Sequence, residues 1–174
     1  MPVCDRYRQA EDRGRVGLLK VCFGAAGLPS FAGATHKKDQ TMSFDPRDIE
    51  KLAEAYTAAW NTGSPQSVAG YFAEDGEIVI NRGTPWRGRP GIAEMAAGFF
   101  TDVPDLKLTC DGVRRAGTHV VYLWTFTGHA AQTANALTMH GWEEWDVSDD
   151  LNVKVSRGWY DSEDYARQVA GGTA

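Results

Sequence analysis

Residues 56–100 read YTAAWNTGSPQSVAGYFAEDGEIVINRGTPWRGRPGIAEMAAGFF, and the order of their breaks decides the fold. Tyr56 and Trp60 stand one helical turn apart and complete an apolar series that begins at Ile49 and runs through Leu52 and Ala53. Such positions fall on one face of a 3.6-residue helix. Asp45-Pro46 opens that helix, with Asp as cap and Pro at the first helical position. Gly63 ends it. Ser64-Pro65 starts a short second helix through Val68 and Tyr71, closing at Phe72-Ala73-Glu74-Asp75. Ile78-Val79-Ile80 reads as a short β-branched strand. Gly83 to Gly91 is a Gly/Pro-rich loop, and Pro90 opens a third long apolar helix with Ile92, Met95, Ala96 and Phe99.

Downstream the periodicity changes to two. Strands are expected over Leu106–Arg114, His119–His129, Ala136–Val147 and Leu151–Tyr160, with Gly117-Thr118 and Ser148-Asp149-Asp150 as turns. Asp161-Ser162-Glu163-Asp164 caps a last helix through Tyr165 and Val169. Helices followed by a run of antiparallel strands argue for an α+β fold. A strongly curved antiparallel sheet wrapped around the long N-terminal helix makes a cone, whose open mouth is a natural ligand site.

Charge divides the 174 residues in two. Residues 1–41 hold seven Lys/Arg against four Asp/Glu, whereas residues 42–174 hold eleven against nineteen and contain all six Trp. The acidic part is a poor nucleic-acid binder, because neutralising phosphate takes Lys and Arg. No apolar run is long enough to span a membrane, and the cytoplasm is the expected compartment. Cys4, Cys22 and Cys110 form neither a disulfide framework nor a zinc spacing. Cys110 reads as a small buried hydrophobe. Residues 1–41 lack a clear period and are expected to be a loosely attached extension, dispensable to a domain spanning 42–174. Two accounts of the extension stand side by side: a secretory signal running from Arg13 to Ala34, and translation from upstream of a start at Met42.

The order of these motifs over residues 45–169 resembles the SnoaL-like branch of the nuclear transport factor 2 (NTF2)-like superfamily. Its members are cone-shaped α+β barrels with one deep pocket, among them polyketide cyclases and ketosteroid isomerases. The resemblance implies a small hydrophobic carbonyl compound as ligand, a homodimer, and proton-transfer chemistry without cofactor or metal. Residue by residue, Tyr56 falls where the isomerases place an oxyanion-donating tyrosine. Asn81 falls near a polar pocket position. Thr127-Gly128-His129 partly matches an element that turns its His into the pocket, so His129 is the expected base. The isomerases' catalytic aspartate would fall near Gly141. Glu143 lies two residues further along the same strand face and could take its place, which puts His140 on the other face. The cyclases' His-x-Asp is absent here, where the chain reads Ser156-Arg157-Gly158.

The catalytic set implied is therefore His129, Tyr56 and Glu143. The expected pocket wall is Trp60, Asn81, Trp86, Phe99, His140, Arg157 and Trp159. If His129 faces inward, alternation sends Tyr122, Trp124 and Phe126 outward, where a second copy would cover them. A proton-transfer enzyme of the isomerase, cyclase or hydrolase type and a non-catalytic binding or association module both fit this sequence.

Overall fold

The computed structural model describes residues 45–171; the extension discussed above lies outside the described residues. Four helices and six strands follow one another as α1 (Pro46–Asn61), α2 (Pro65–Ala69), β1 (Phe72–Ile80), β2 (Trp86–Arg87), α3 (Gly88–Asp102), β3 (Lys107–Ala116), β4 (His119–His129), β5 (Ala136–Val147), β6 (Val153–Tyr160) and α4 (Ser162–Val169). No helix among the described residues is long and apolar enough to cross a membrane.

Local chemistry sets the helix ends. The Asp45 carboxylate accepts the Arg47 amide at 3.0 Å, Ser64 Oγ accepts the Ser67 amide at 3.2 Å, and Asp161 accepts the amides of Glu163 and Asp164. Each cap satisfies a donor that the helix itself leaves unpaired. Gly63 follows α1 with a φ of 69°, a left-handed conformation that glycine adopts without strain.

The strands form one sheet in the order β2-β1-β6-β5-β4-β3. All neighbouring pairs are antiparallel except β1 and β6, which run parallel. The sheet is therefore mixed rather than wholly antiparallel. α3 and the β3–β5 meander supply the long crossover that a parallel pair requires.

A second correction concerns Phe72-Ala73-Glu74-Asp75, which begin β1 instead of ending α2. The pairing explains why. Phe72 faces Val153 and Glu77 faces Val155, so the six residues 72–77 of β1 bulge against the three residues 153–155 of β6. A four-residue stretch with Gly70 before it and Gly76 after it carries too little period to separate helix from bulged strand. Further register shifts occur in β3 between Cys110 and Gly112 and in β5 between Asp146 and Val147. Bulges of this kind increase local twist and curve a sheet.

The concave face carries the core. Val120, Tyr122, Trp124 and Phe126 of β4 and Leu137, Met139 and Trp145 of β5 are buried there against Ile49, Ala53, Tyr56 and Trp60 of α1. Tyr56 sits at the centre, edge-on to Trp145 at 5.2 Å and to Tyr122 at 5.7 Å between ring centroids. Burying each such ring contributes about 1.5–3 kcal/mol of transfer free energy, which fixes α1 across the sheet. α4 covers one end, with Tyr165 edge-on to Phe126 and Tyr160.

Candidate functional site

Between α1, α3 and the concave face lies a cavity bordered by Trp60 of α1, Met95 and Phe99 of α3, Ile78 and Ile80 of β1, and Leu106 and Leu108. Trp124, Phe126, Glu143, Gly158, Trp159 and Tyr160 complete the wall. The space open to the centre of a water molecule is about 40 Å³. The wall is apolar and aromatic apart from a few groups, and Glu143 is its only carboxyl among the described residues.

Alternation along β5 places Glu143 inside with Leu137, Met139 and Trp145. Its Oε2 accepts hydrogen bonds from Trp145 Nε1 at 2.8 Å and Ser156 Oγ at 2.7 Å. The Tyr56 hydroxyl stands 3.4 Å from both carboxyl oxygens. Oε1 has no shorter hydrogen bond among the described residues. Burial pushes the Glu143 carboxyl above its ordinary range, against the opposing pull of the Trp145, Ser156 and Tyr56 donors. Tyr56 is itself pushed well above the usual phenol range, first by burial and then by the Glu143 charge. The Tyr122 hydroxyl donates to Thr57 Oγ1 at 2.6 Å, and Thr57 donates onward to the Ala53 carbonyl. This second phenol is thereby tied to the helix rather than offered to the cavity.

Several expected site residues lie elsewhere. His129 is on the convex face. Its Nδ1 lies 2.7 Å from Asp105 Oδ2, its backbone amide donates to Asp105 Oδ1, and its side chain is 60% exposed. The inward set of β4 is Val120, Tyr122, Trp124 and Phe126, the reverse of the expected assignment. The physical reason is plain in the alternation. One face of β4 offers Val120, Tyr122, Trp124 and Phe126, the other His119, Val121, Leu123, Thr125, Thr127 and His129, and the core takes the face that is apolar throughout and carries the three aromatic rings.

His140 is also outside, with Nδ1 2.7 Å from the Thr125 hydroxyl. Arg157 pairs with Asp146 at 3.0 Å on the outer surface. Asn81 is a clamp: its amide donates to the Tyr160 carbonyl at 2.9 Å and its oxygen accepts the Tyr160 amide at 3.0 Å. That pair of bonds holds it at a φ of 49° and leaves little for a ligand. Trp86 borders a separate hollow between the Gly83–Arg87 loop and Glu94. Trp60 and Phe99 do line the cavity. Trp159 borders it too, although its ring stacks on Trp142 and under the Arg82 guanidinium.

The residues that sequence reasoning missed are Trp124, Phe126, Trp145 and Ser156. The unbroken apolar alternation Val120-Tyr122-Trp124-Phe126 would have found the first two. Because His129 faces away from the cavity, His129→Ala is expected to leave ligand binding there unchanged and to move the melting temperature by ~2 °C or less, as for other surface changes. A large loss of binding in a calorimetric titration would contradict this placement.

No three His, Cys, Asp or Glu side chains among the described residues are grouped to hold a metal ion. Residues 53–155 match the SnoaL-like domain family. No curated protein matches the chain. Similar solved structures share the fold at low identity. A hypothetical protein with a ketosteroid isomerase-like fold from Catenulispora acidiphila, solved with trimethylamine, is 21% identical with a TM-score of 0.65, over 69% of this chain and 92% of that one. The epoxide hydrolase/cyclase-like enzyme SalBIII, of pyran ring formation in salinomycin, is 12% identical with a TM-score of 0.62, over 69% and 95%. An NTF2-like protein of unknown function from Burkholderia pseudomallei is 14% identical with a TM-score of 0.62, over 69% and 95%.

Proposed function

The chain belongs to the SnoaL-like domain family, with the NTF2-like, ketosteroid isomerase-like α+β fold, and from that premise we propose that its cavity binds a small, mostly apolar carbonyl compound on which Glu143 moves a proton. The observation that carries this reading is a buried carboxyl, raised by burial, on the wall of an otherwise apolar cavity. Trp145 and Ser156 hold one of its oxygens at fixed geometry, which leaves Oε1 for the ligand. A carboxylate in such a place is a stronger base than one in water, because its charged form is poorly solvated.

The step follows from that placement. The ionised Glu143 removes a proton from the carbon beside the carbonyl. The C–H electron pair becomes the C=C bond of an enolate, the carbonyl π pair moves onto oxygen, and Glu143 becomes the neutral acid. Returning the proton to the same carbon gives exchange, and returning it elsewhere gives isomerisation. Tyr56 contributes by bordering both carboxyl oxygens and keeping the group oriented.

Cyclohexanone in D₂O tests the reading, with loss of the α-proton signals followed by NMR. The protein is expected to accelerate exchange, and Glu143→Gln to lower the rate by roughly 10²–10⁴. The rate should rise with pH as the carboxyl ionises, through a midpoint above the ordinary glutamate range of ~4.3. A second reading, a binding module without catalysis, draws on the fact that, among the described residues, no other carboxyl or imidazole lies on the wall. Ketone binding with exchange no faster than in buffer would favour it and sink the catalytic reading.

A further inference from the structure

Two hydrogen-bond donors carried by residues of the cavity wall make no aligned hydrogen bond among the described residues. Trp60 Nε1 and Trp124 Nε1 are buried without a hydrogen-bond partner among the described residues, and the two residues are only 5% and 8% exposed. Both residues border the cavity. Trp60 Nε1 faces the Tyr56 hydroxyl and opposes the upward push of burial and of Glu143 on that phenol, yet distance and angle do not make a hydrogen bond of the contact. Buried polar groups are nearly always paired, and leaving one unpaired is costly. Two such groups, carried by residues of different elements that border the same cavity, point to a ligand that meets them.

Resting on the reading above, we propose that the indole N–H groups of Trp60 and Trp124 form the seat for the ligand's acceptor oxygen, the carbonyl on which charge develops when Glu143 takes the proton. An indole nitrogen only donates, so its partner must accept. An ammonium ion offers donors alone and would leave both groups unmet. A carboxylate or phosphate would enter with no Lys or Arg among the described residues of the wall to meet its charge. A neutral, largely apolar molecule with a carbonyl oxygen meets every condition.

Packing holds the two donors in place. Trp60 is edge-on to Phe99 at 5.9 Å and Phe100 at 5.4 Å, and Trp124 stacks on Phe126 at 5.9 Å. Fixed donors aimed at an oxygen whose charge grows during the reaction stabilise the transition state without reorganising. Tyr56, expected in this role, stands beside Glu143, and Asn81, expected at a polar pocket position, is engaged on the Tyr160 backbone. Trp60 and Trp124 supply what those two do not.

The test uses the full chain labelled with ¹⁵N-tryptophan, its indole signals assigned with Trp60→Phe and Trp124→Phe. Cyclohexanone is expected to move the Trp60 and Trp124 indole protons downfield, and methylcyclohexane is not. Each Phe variant should weaken cyclohexanone roughly tenfold, the worth of one hydrogen bond, while holding methylcyclohexane within about twofold. The seat is overturned if cyclohexanone binds and either indole signal stays put, if the variants weaken both compounds alike, or if cyclohexylammonium binds in preference. The catalytic reading fails separately: downfield shifts with no α-proton exchange would keep the seat and reject Glu143 as base, while exchange without the shifts would do the reverse.

Discussion

Glu143→Ala is expected to destabilise the fold by about 3–5 kcal/mol, whereas Glu143→Gln should cost about 1 kcal/mol or less. The difference lies in what each variant leaves behind. Alanine strands the Trp145 indole N–H and the Ser156 and Tyr56 hydroxyls in the core, where Glu143 had received or bordered them at 2.8, 2.7 and 3.4 Å. It also opens a hole beside the Tyr56 hydroxyl. Glutamine keeps a carbonyl oxygen to accept from Trp145 and Ser156 and turns its amide toward the side of Oε1. For a domain of this size the alanine variant should melt roughly 10–20 °C lower. An alanine variant within two or three degrees of the parent would show that the three donors find other partners.

The same pair of variants reads the protonation of Glu143. Its pKa is raised in the folded state, so the folded protein binds this proton more tightly than the unfolded chain does. The stabilisation from that proton is fully present below the unfolded value of ~4.3 and is lost as pH rises through the higher folded value. Glutamine cannot ionise. The stability difference between Glu143→Gln and the parent should therefore shift in favour of glutamine from pH 5 to pH 8. Parallel pH profiles would mean that Glu143 has the same pKa folded and unfolded.

The elements were largely legible and the faces were not. β4 and β5 fall where alternation and the Gly117-Thr118 turn put them, because a half-buried strand writes its period into the sequence. α1 was equally plain from Ile49 to Trp60. β1 was read as three residues instead of nine, since its first half bulges and pairs in parallel with a strand more than seventy residues away. The inside of β4 was misread for a different reason. Period gives two faces but does not say which is inside; the family likeness at His129 points to one face and the apolar content to the other, and the core follows apolar content. Glu143 was found from its phase with Gly141, a local relation that survives without knowing the rest of the fold. Its partners Trp145 and Ser156 were not, because the bond between β5 and β6 that brings Ser156 opposite Trp145 is a fact of register. The unpaired indoles of Trp60 and Trp124 are further still from the sequence, being a property of what every neighbour fails to offer.

Gly141→Ala is expected to cost about 3 kcal/mol or more, at the upper end of overpacking penalties. Gly141 faces the concave side of β5, directly opposite Trp124 on β4. A Cβ there would lie 2.3 Å from Trp124 Cζ2 and 2.4 Å from the Trp159 carbonyl oxygen. The first contact is with a ring and the second with backbone, so turning one side chain cannot relieve both. The Trp124 indole thus occupies the ground on which a side chain at position 141 would stand. That is the position near which the isomerase likeness would put a catalytic aspartate. In this chain an aromatic donor fills the space, and the carboxyl stands one inward residue further along at Glu143. Trp124→Leu on its own should also destabilise, through the cavity it leaves. In that background Gly141→Ala should cost clearly less than in the parent, because the ring contact has gone, yet still more than a neutral change, because the Trp159 carbonyl has not moved. A double-mutant cycle by urea denaturation measures the difference. If Gly141→Ala costs less than about 0.5 kcal/mol in the parent, within the range of neutral substitutions, the ring over Gly141 is loosely held, and Trp124 loses its claim to be a fixed donor at the cavity.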